Sequence, residues 1–338
     1  MKTRLIQFAV LTFTSFAALA AETSVPPTAS ALLDKYQTAL DNFRSVILKQ
    51  EVASVCTNRI SDPQGQKISG RPMKTYYRSE FRSDGTRHAW RQSAWGNVGS
   101  AKQVTPESQA AYWSSFWDGR EKHDLGAGYV TFHTPPPTPD EASRMLGNDG
   151  EMRGYLSAID RRLDALVRTA RILSVRTETE TINGSACYVI DAVTDQGKVC
   201  LWIDPAHGYL AAKVTLSVIA GNSRLGQRVP AGTSDQRSLE VTRFEQKGVV
   251  WVPMAMKSFD QLELGRGEFS HSSTTYKCTE VIFNPDHDAL HSFDWTHDPE
   301  LKDGTLIHQI GPGGFEQARF VWQGGKPVPD TSWHRRGR

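Results

Sequence analysis

Beyond its first twenty residues the chain has no apolar run of the length a bilayer-spanning helix needs, about 20 residues. It also has almost no net charge, with 39 Lys and Arg against 37 Asp and Glu. Lys2 and Arg4, at the extreme N-terminus, account for the difference. Near neutrality removes any bulk attraction to nucleic acid or to an anionic membrane. Arg161-Arg162 and Arg335-Arg336 then read as solvated charges. There is no Gly-x-Ser-x-Gly and no His-Glu-x-x-His. Gly311-Pro312-Gly313-Gly314 lacks the Lys-Ser/Thr of a phosphate loop. No internal repeat of 20 to 50 residues is visible, and nothing calls for a cofactor. Cysteine is scarce: the four, Cys56, Cys187, Cys200 and Cys278, match no metal-site spacing. A charged fraction of 22% and a hydrophobic fraction of 38% exclude a polytopic membrane protein, a fibrous chain and a mostly disordered one.

What is present begins with an export leader. Lys2 and Arg4 open it, Leu5 to Leu19 is apolar, and Ala18-Leu19-Ala20 is the small-x-small pattern of a cleavage site. Cleavage near Ala20 predicts a soluble, monomeric periplasmic protein. No Cys follows the apolar run to carry a lipid anchor. Export permits disulfides, and four cysteines allow three full pairings.

Glu22 to Ser30 reads as a flexible lead-in. Leu32, Leu33, Tyr36, Ala39, Leu40 and Phe43 then form one helical stripe, with Thr28 or Ser30 as its cap. From Ser45 the chain turns to short β-type runs. Asp84-Gly85, Asp118-Gly119, Asn183-Gly184, Gln196-Gly197, Lys247-Gly248 and Asp303-Gly304 punctuate them, the residues tight hairpins want. This predicts an antiparallel meander, mainly β with some helix, and not alternating βαβ units. Two helical interruptions are expected, a short one at Thr105-Pro106-Glu107 and a longer one from about Gly150 to Arg168. The stiff connector Pro135-Pro136-Pro137-Thr138-Pro139 lies between them. One large β domain over 30–310 and a weakly packed tail over 311–338 complete the plan.

The central hairpin is the most informative piece. Cys187 to Ala192 and Val199 to Ile203 face each other across Thr194-Asp195-Gln196-Gly197. If Val193 pairs with Lys198, then Cys200 faces Asp191. A Cys187–Cys200 disulfide would span an offset of four residues, roughly 13 Å, against a limit of about 7 Å. Under that register Tyr188, Ile190, Ala192, Val199, Leu201 and Ile203 share one face, and Cys187, Val189, Asp191, Val193, Cys200 and Trp202 the other. Both faces are largely apolar, so both are covered. Val249 to Met256 repeats the theme. Nine tryptophans, among them Trp202 and Trp251, imply either a thick core or a sizeable apolar groove.

Three features together resemble the outer-membrane lipoprotein-sorting, LolA/LolB-like superfamily of Gram-negative periplasms. They are the amphipathic N-terminal helix before the meander, Trp117-Asp118-Gly119 in a hairpin, and Leu201-Trp202-Ile203-Asp204-Pro205-Ala206-His207-Gly208-Tyr209-Leu210 before Ala212-Lys213-Val214-Thr215. The resemblance implies a half-open antiparallel β-barrel, or curved sheet, with the N-terminal and inserted helices as a lid. It implies a non-enzymatic carrier whose apolar interior takes a lipid or the acyl chain of a lipoprotein. Trp202, Trp251, Val189, Leu201, Met254, Leu40 and Phe43 are the expected cavity lining. Segments around Arg59 to Gly70 and Pro135 to Gly150 are extra to a plain carrier. The second reading is a regulatory or sensor module that meets an envelope protein through a strand edge or the Pro135 to Gly150 insert. The third is a metal-dependent hydrolase using His287, His291 and Asp288, since His287 and His291 are four apart. Asn284-Pro285-Asp286 opens a turn there, which suits a wet loop better.

Overall fold

Turn glycines set the strand register. At Asn183-Gly184 both residues have positive φ, 49° and 87°, the pair a two-residue turn of the hairpin-favouring hand requires. At Gln196-Gly197 the glycine has φ 138°, and a Cβ there would meet the carbonyl oxygen of Ser217 at 2.4 Å. The computed structural model describes residues 27–61, 67–70, 72–97, 105–133, 150–156, 159, 161–224, 227–265, 267–311 and 314–332. The expected export leader, the Pro135 to Pro139 connector, nearly all of the Pro135 to Gly150 insert and Trp333 lie outside the described residues.

All but two of the described strands build one large open sheet, and Ser223–Arg224 and Gln227–Arg228 form a small separate ribbon. At one edge Ile172–Val175 and Glu180–Ile182 pair with Ser185–Val193. The sheet continues through Lys198–Asp204, Leu210–Ile219, Ser234–Lys247, Val250–Gly265 and Glu268–Phe283. The first strand of the chain, Val46–Ser61, lies next, between Glu268–Phe283 and Met73–Ser83. His88–Gly96, Ala111–Trp117, Lys122–Gly126 and Tyr129–His133 follow. Leu306–Ile310 pairs parallel with Tyr129–His133, and Glu316–Gln323 and Lys326–Pro329 close the series. The result is a curved, half-open antiparallel sheet with a single parallel pairing. It is the arrangement the LolA/LolB-like resemblance implied.

Helix α1, Ala29–Asp41, starts where Thr28 accepts a hydrogen bond from the Ala31 N–H at 3.2 Å. Its apolar stripe is buried, as is Phe43 just beyond it. Helix α2 is short, Leu163–Arg168. The Gly150 to Arg168 helix expected from periodicity is broken. A 3₁₀ turn, Glu151–Arg153, ends at Gly154 with φ 82°. A Cβ at Gly154 would stand 2.5 Å from Leu40 Cδ1, so the bare glycine lets this segment press against α1. The apolar stripe survives the break: Leu156, Ile159, Leu163, Leu166 and Val167 are all buried. Ion pairs bind α2 to α1, Arg162 to Asp41 at 2.9 Å and Arg168 to Asp34 at 2.7 Å.

The C-terminal tail also differs from expectation. Two of its segments are strands of the sheet, and Trp322 is buried with Leu125, Val130 and Ile307. Glycine and proline suggested loose packing, but here they punctuate a hairpin at Gly324-Gly325. Among the described residues no helix is long and apolar enough to cross a membrane.

Candidate functional site

The hairpin register is the one predicted, with Val193 opposite Lys198 and Asp191 opposite Cys200. Its two faces belong to different clusters. Ile190, Ala192, Val199, Leu201 and Ile203 join the main core with α1 and α2. Cys187, Val189 and Trp202 join a smaller cluster on the opposite face. The seven residues named as cavity lining are therefore not brought together. Leu40, Phe43, Leu201 and Met254 are packed into the main core, with Trp251 against it, while Val189 and Trp202 face away. Trp202 donates its indole N–H to Glu180 at 2.8 Å. Trp251 stands edge-on to His207 at 4.6 Å, and His207 stacks on Phe244 at 4.4 Å. The Asp204-Pro205 stretch forms a turn. Asp204, almost wholly buried, accepts from the Ala206 N–H at 2.9 Å and meets His207 Nδ1 at 2.6 Å.

The same concave face has a second half with different chemistry. In antiparallel pairs directly opposed residues share a face. The row Leu48, Phe81, Trp90, Ser115, Asp124, Thr131 runs across six strands. Beside it runs Gln50, Ser79, Gln92, Trp113, Gly126, Tyr129. Close to Val46–Ser61 these rows sit under the helices. Farther out they floor an open trough of about 650 Å³, walled by Tyr77, Trp90, Trp113 and Tyr129. Gly126 is what lets Trp113 lie flat, since a Cβ there would stand 2.6 Å from the indole Cδ1. The polar members are held in place, with Lys122 paired to Asp124 at 2.6 Å.

The next row, Ser83, His88, Trp117, Lys122, leads into a second cavity of about 690 Å³ beside the C-terminal end of α1. Its wall carries Arg44, Arg87, Arg153 and Arg162 against Asp41. Arg153 lies over the Phe81 ring at 4.3 Å, and Arg87 is paired with Asp84 at 2.7 Å and Asp288 at 2.9 Å. The arrangement is an aromatic floor next to an arginine-lined cavity in which aspartates neutralise Arg87 and Arg162. Such a surface suits a ligand with an apolar body and an anionic or polar end.

Trp90, Trp113, Tyr77, Tyr129 and Arg153 were missed as site residues from sequence. Aromatic residues in strands read as core, and Tyr77 and Trp90 do touch the main core on one side while bordering the open trough on the other. The suspected metal and hydrolase residues do not assemble either. His287 is buried, its Nδ1 3.0 Å from Ser292 Oγ, and burial lowers its pKa. His291 is exposed and stacks on His297 instead, and Asp288 pairs with Arg87.

No family model matches the chain, and no curated protein matches it. Among solved structures, a LolA superfamily protein from Nitrosomonas europaea is 12% identical, with 78% of this chain and 97% of that chain covered at a TM-score of 0.38. A DUF1329 family protein from Desulfovibrio piger is 13% identical, with 77% and 95% covered at a TM-score of 0.36. A Pseudomonas aeruginosa MucA/MucB complex is matched at 10% identity, 78% and 96% coverage and a TM-score of 0.22. The first carries the superfamily name that the Leu201 to Leu210 stretch suggested. At TM-scores below 0.5 none of these likenesses says what this chain does.

Proposed function

We propose that this chain is a non-enzymatic periplasmic binding or carrier protein that lays the acyl part of a lipid or lipoprotein along the trough of Trp90 and Trp113. Its polar end would rest near Arg153. The observation that carries the reading is the half-exposed aromatic floor of Trp90, Trp113 and Tyr129 bordering open volume on the outer half of the concave face. An acyl chain gains about 0.8 kcal/mol per buried methylene, so ten contribute about 8 kcal/mol before ordering costs. That attraction is non-directional and accepts chains of different chemistry. The test is native mass spectrometry of the protein purified from the periplasm. A lipid-sized adduct is expected on the wild type and absent from Trp90→Ala/Trp113→Ala. A ligand-free wild type, or an adduct untouched by the double substitution, would overturn the reading.

A regulatory module is the second reading, and one observation favours it. The sheet-edge strand Ile172–Val175 leaves Ile172 63% and Leu173 38% exposed. Apolar side chains beside an edge strand's backbone suit a partner that adds a strand. Ile172→Lys should weaken capture of such an envelope partner while leaving lipid adducts intact. Equal capture by wild type and variant would remove this reading.

A further inference from the structure

The loop after Phe283 holds three metal-ligating side chains that neither reading uses. His291, Asp294 and His297 are spaced by three. The Asp294 N–H donates to the His291 carbonyl at 3.3 Å, and the His297 N–H to the Asp294 carbonyl at 3.2 Å. The second of these turns is the 3₁₀ segment Trp295–His297. Two i→i+3 turns in succession, the first starting at His291 with φ 47° and the second at an extended Asp294, fold the loop back so that the three side chains meet. Their ligand atoms lie within 4.8 Å of one another. The imidazoles of His291 and His297 are stacked at 4.2 Å and 1°. Asp294 Oδ2 is 2.9 Å from His297 Nδ1.

The residues between the ligands anchor the loop. Ser292 and Phe293 are buried, and Ser292 Oγ meets His287 Nδ1 at 3.0 Å and accepts from Arg82 at 3.2 Å. Trp295 stacks on His123 at 4.8 Å. Asp294 Oδ1 accepts from the Thr296 N–H at 2.9 Å and its hydroxyl at 2.6 Å. This orients the carboxylate and leaves Oδ2 toward the imidazoles. The three ligands thus ride on a base fixed by packing.

We propose that His291, Asp294 and His297 form a solvent-facing site for a divalent transition-metal ion, with Zn(II) as the reference ion. Two imidazoles and one carboxylate suit zinc, copper or nickel, whereas calcium and magnesium want oxygen donors. Tetrahedral zinc holds its donors about 2.0–2.2 Å away, which sets them about 3.3 Å apart. The Asp294–His297 pair is already near that spacing, and His291 closes by a side-chain rotation. The ion takes the place of the contact between Asp294 Oδ2 and His297 Nδ1. Three protein ligands leave a position open to water or to a donor from another molecule. The site lies on a separate loop from the trough, so it stands whether or not a lipid binds there.

The test uses the full mature chain, stripped with EDTA and titrated with Zn(II) in a calorimeter, then loaded with Co(II) for absorption spectroscopy. One ion per chain is expected. His291→Ala/His297→Ala should abolish that binding, and Asp294→Asn should weaken it by about tenfold or more. Co(II) should give visible d–d bands without a sulfur charge-transfer band. The substituted histidines are exposed, so circular dichroism and Tm should match the wild type. Stoichiometric binding that survives the double substitution, a sulfur charge-transfer band, or no ion taken up by the wild type would each overturn the proposal.

Discussion

The two halves of the concave face are built on the same strands' continuation and behave as different materials. Toward Ser185–Val193 the face is aliphatic, with Ile190, Leu201, Val214, Leu239 and Val241 packed under α1 and α2. Toward Tyr129–His133 it is aromatic and polar, and its Trp90, Trp113 and Tyr129 border open volume. What separates them is the reach of the helices, whose buried stripes match only the aliphatic half. One curved face can thus be filled in one place and open in another.

The sharpest way to break this comparison is truncation on each side. Leu201→Ala, in the filled half, should cost about 2–5 kcal/mol in denaturant unfolding because a fully buried side chain leaves a cavity. Trp113→Ala, in the open half, should cost roughly 1–2 kcal/mol for its half-buried ring, while removing ligand. Equal losses at the two positions would mean the halves are not distinct.

Next in size is the acid response of the outer strands, on the face opposite the trough. His123 is buried against Trp295 and Phe132, and burial pushes its pKa from the ordinary histidine value of 6.5 down to about 4. The unfolded chain therefore takes up a proton that the folded chain refuses. Stability should be complete above about pH 6.5 and fall as the pH drops toward 4. At about 1.36 kcal/mol per pH unit the loss comes to about 3 kcal/mol. His123→Phe should flatten unfolding free energy measured across that window, and an unchanged slope would assign the loss to other groups.

The smallest expected effect is none. All four cysteines are free. Burial pushes the Cys187 thiol up to about 12, and burial with Asp191 raises that of Cys200. Neither is poised as a thiolate for oxidation. Adding dithiothreitol should leave Tm where it was, and a drop would reveal a disulfide.

Local chemistry was legible in the sequence, and distant pairing was not. The Gln196-Gly197 turn and the parity of apolar residues predicted the register of Ser185–Val193 with Lys198–Asp204, because both signals lie within a few residues. The stripe of α1 was legible for the same reason. The break at Gly154 was hidden, since its apolar neighbours keep helical spacing while a turn and a short helix bury them. The trough depends on Tyr77, Trp90, Trp113 and Tyr129 sharing a face across five strands, which no single window contains. His291 finds its partners at Asp294 and His297 because the loop turns in steps of three, whereas helical spacing pointed back to His287.

The place of Val46–Ser61 has a consequence for how the protein comes into being. That strand is the first of the described ones to be synthesised, yet one of its neighbours is Glu268–Phe283, more than 200 residues further along the chain. Tyr129–His133 likewise waits for Leu306–Ile310. Contacts so distant along the polypeptide are slow to form. A nascent chain cannot finish its sheet until Leu306–Ile310 and Glu316–Gln323 have emerged, so its early strands wait with open backbone edges exposed to any neighbour.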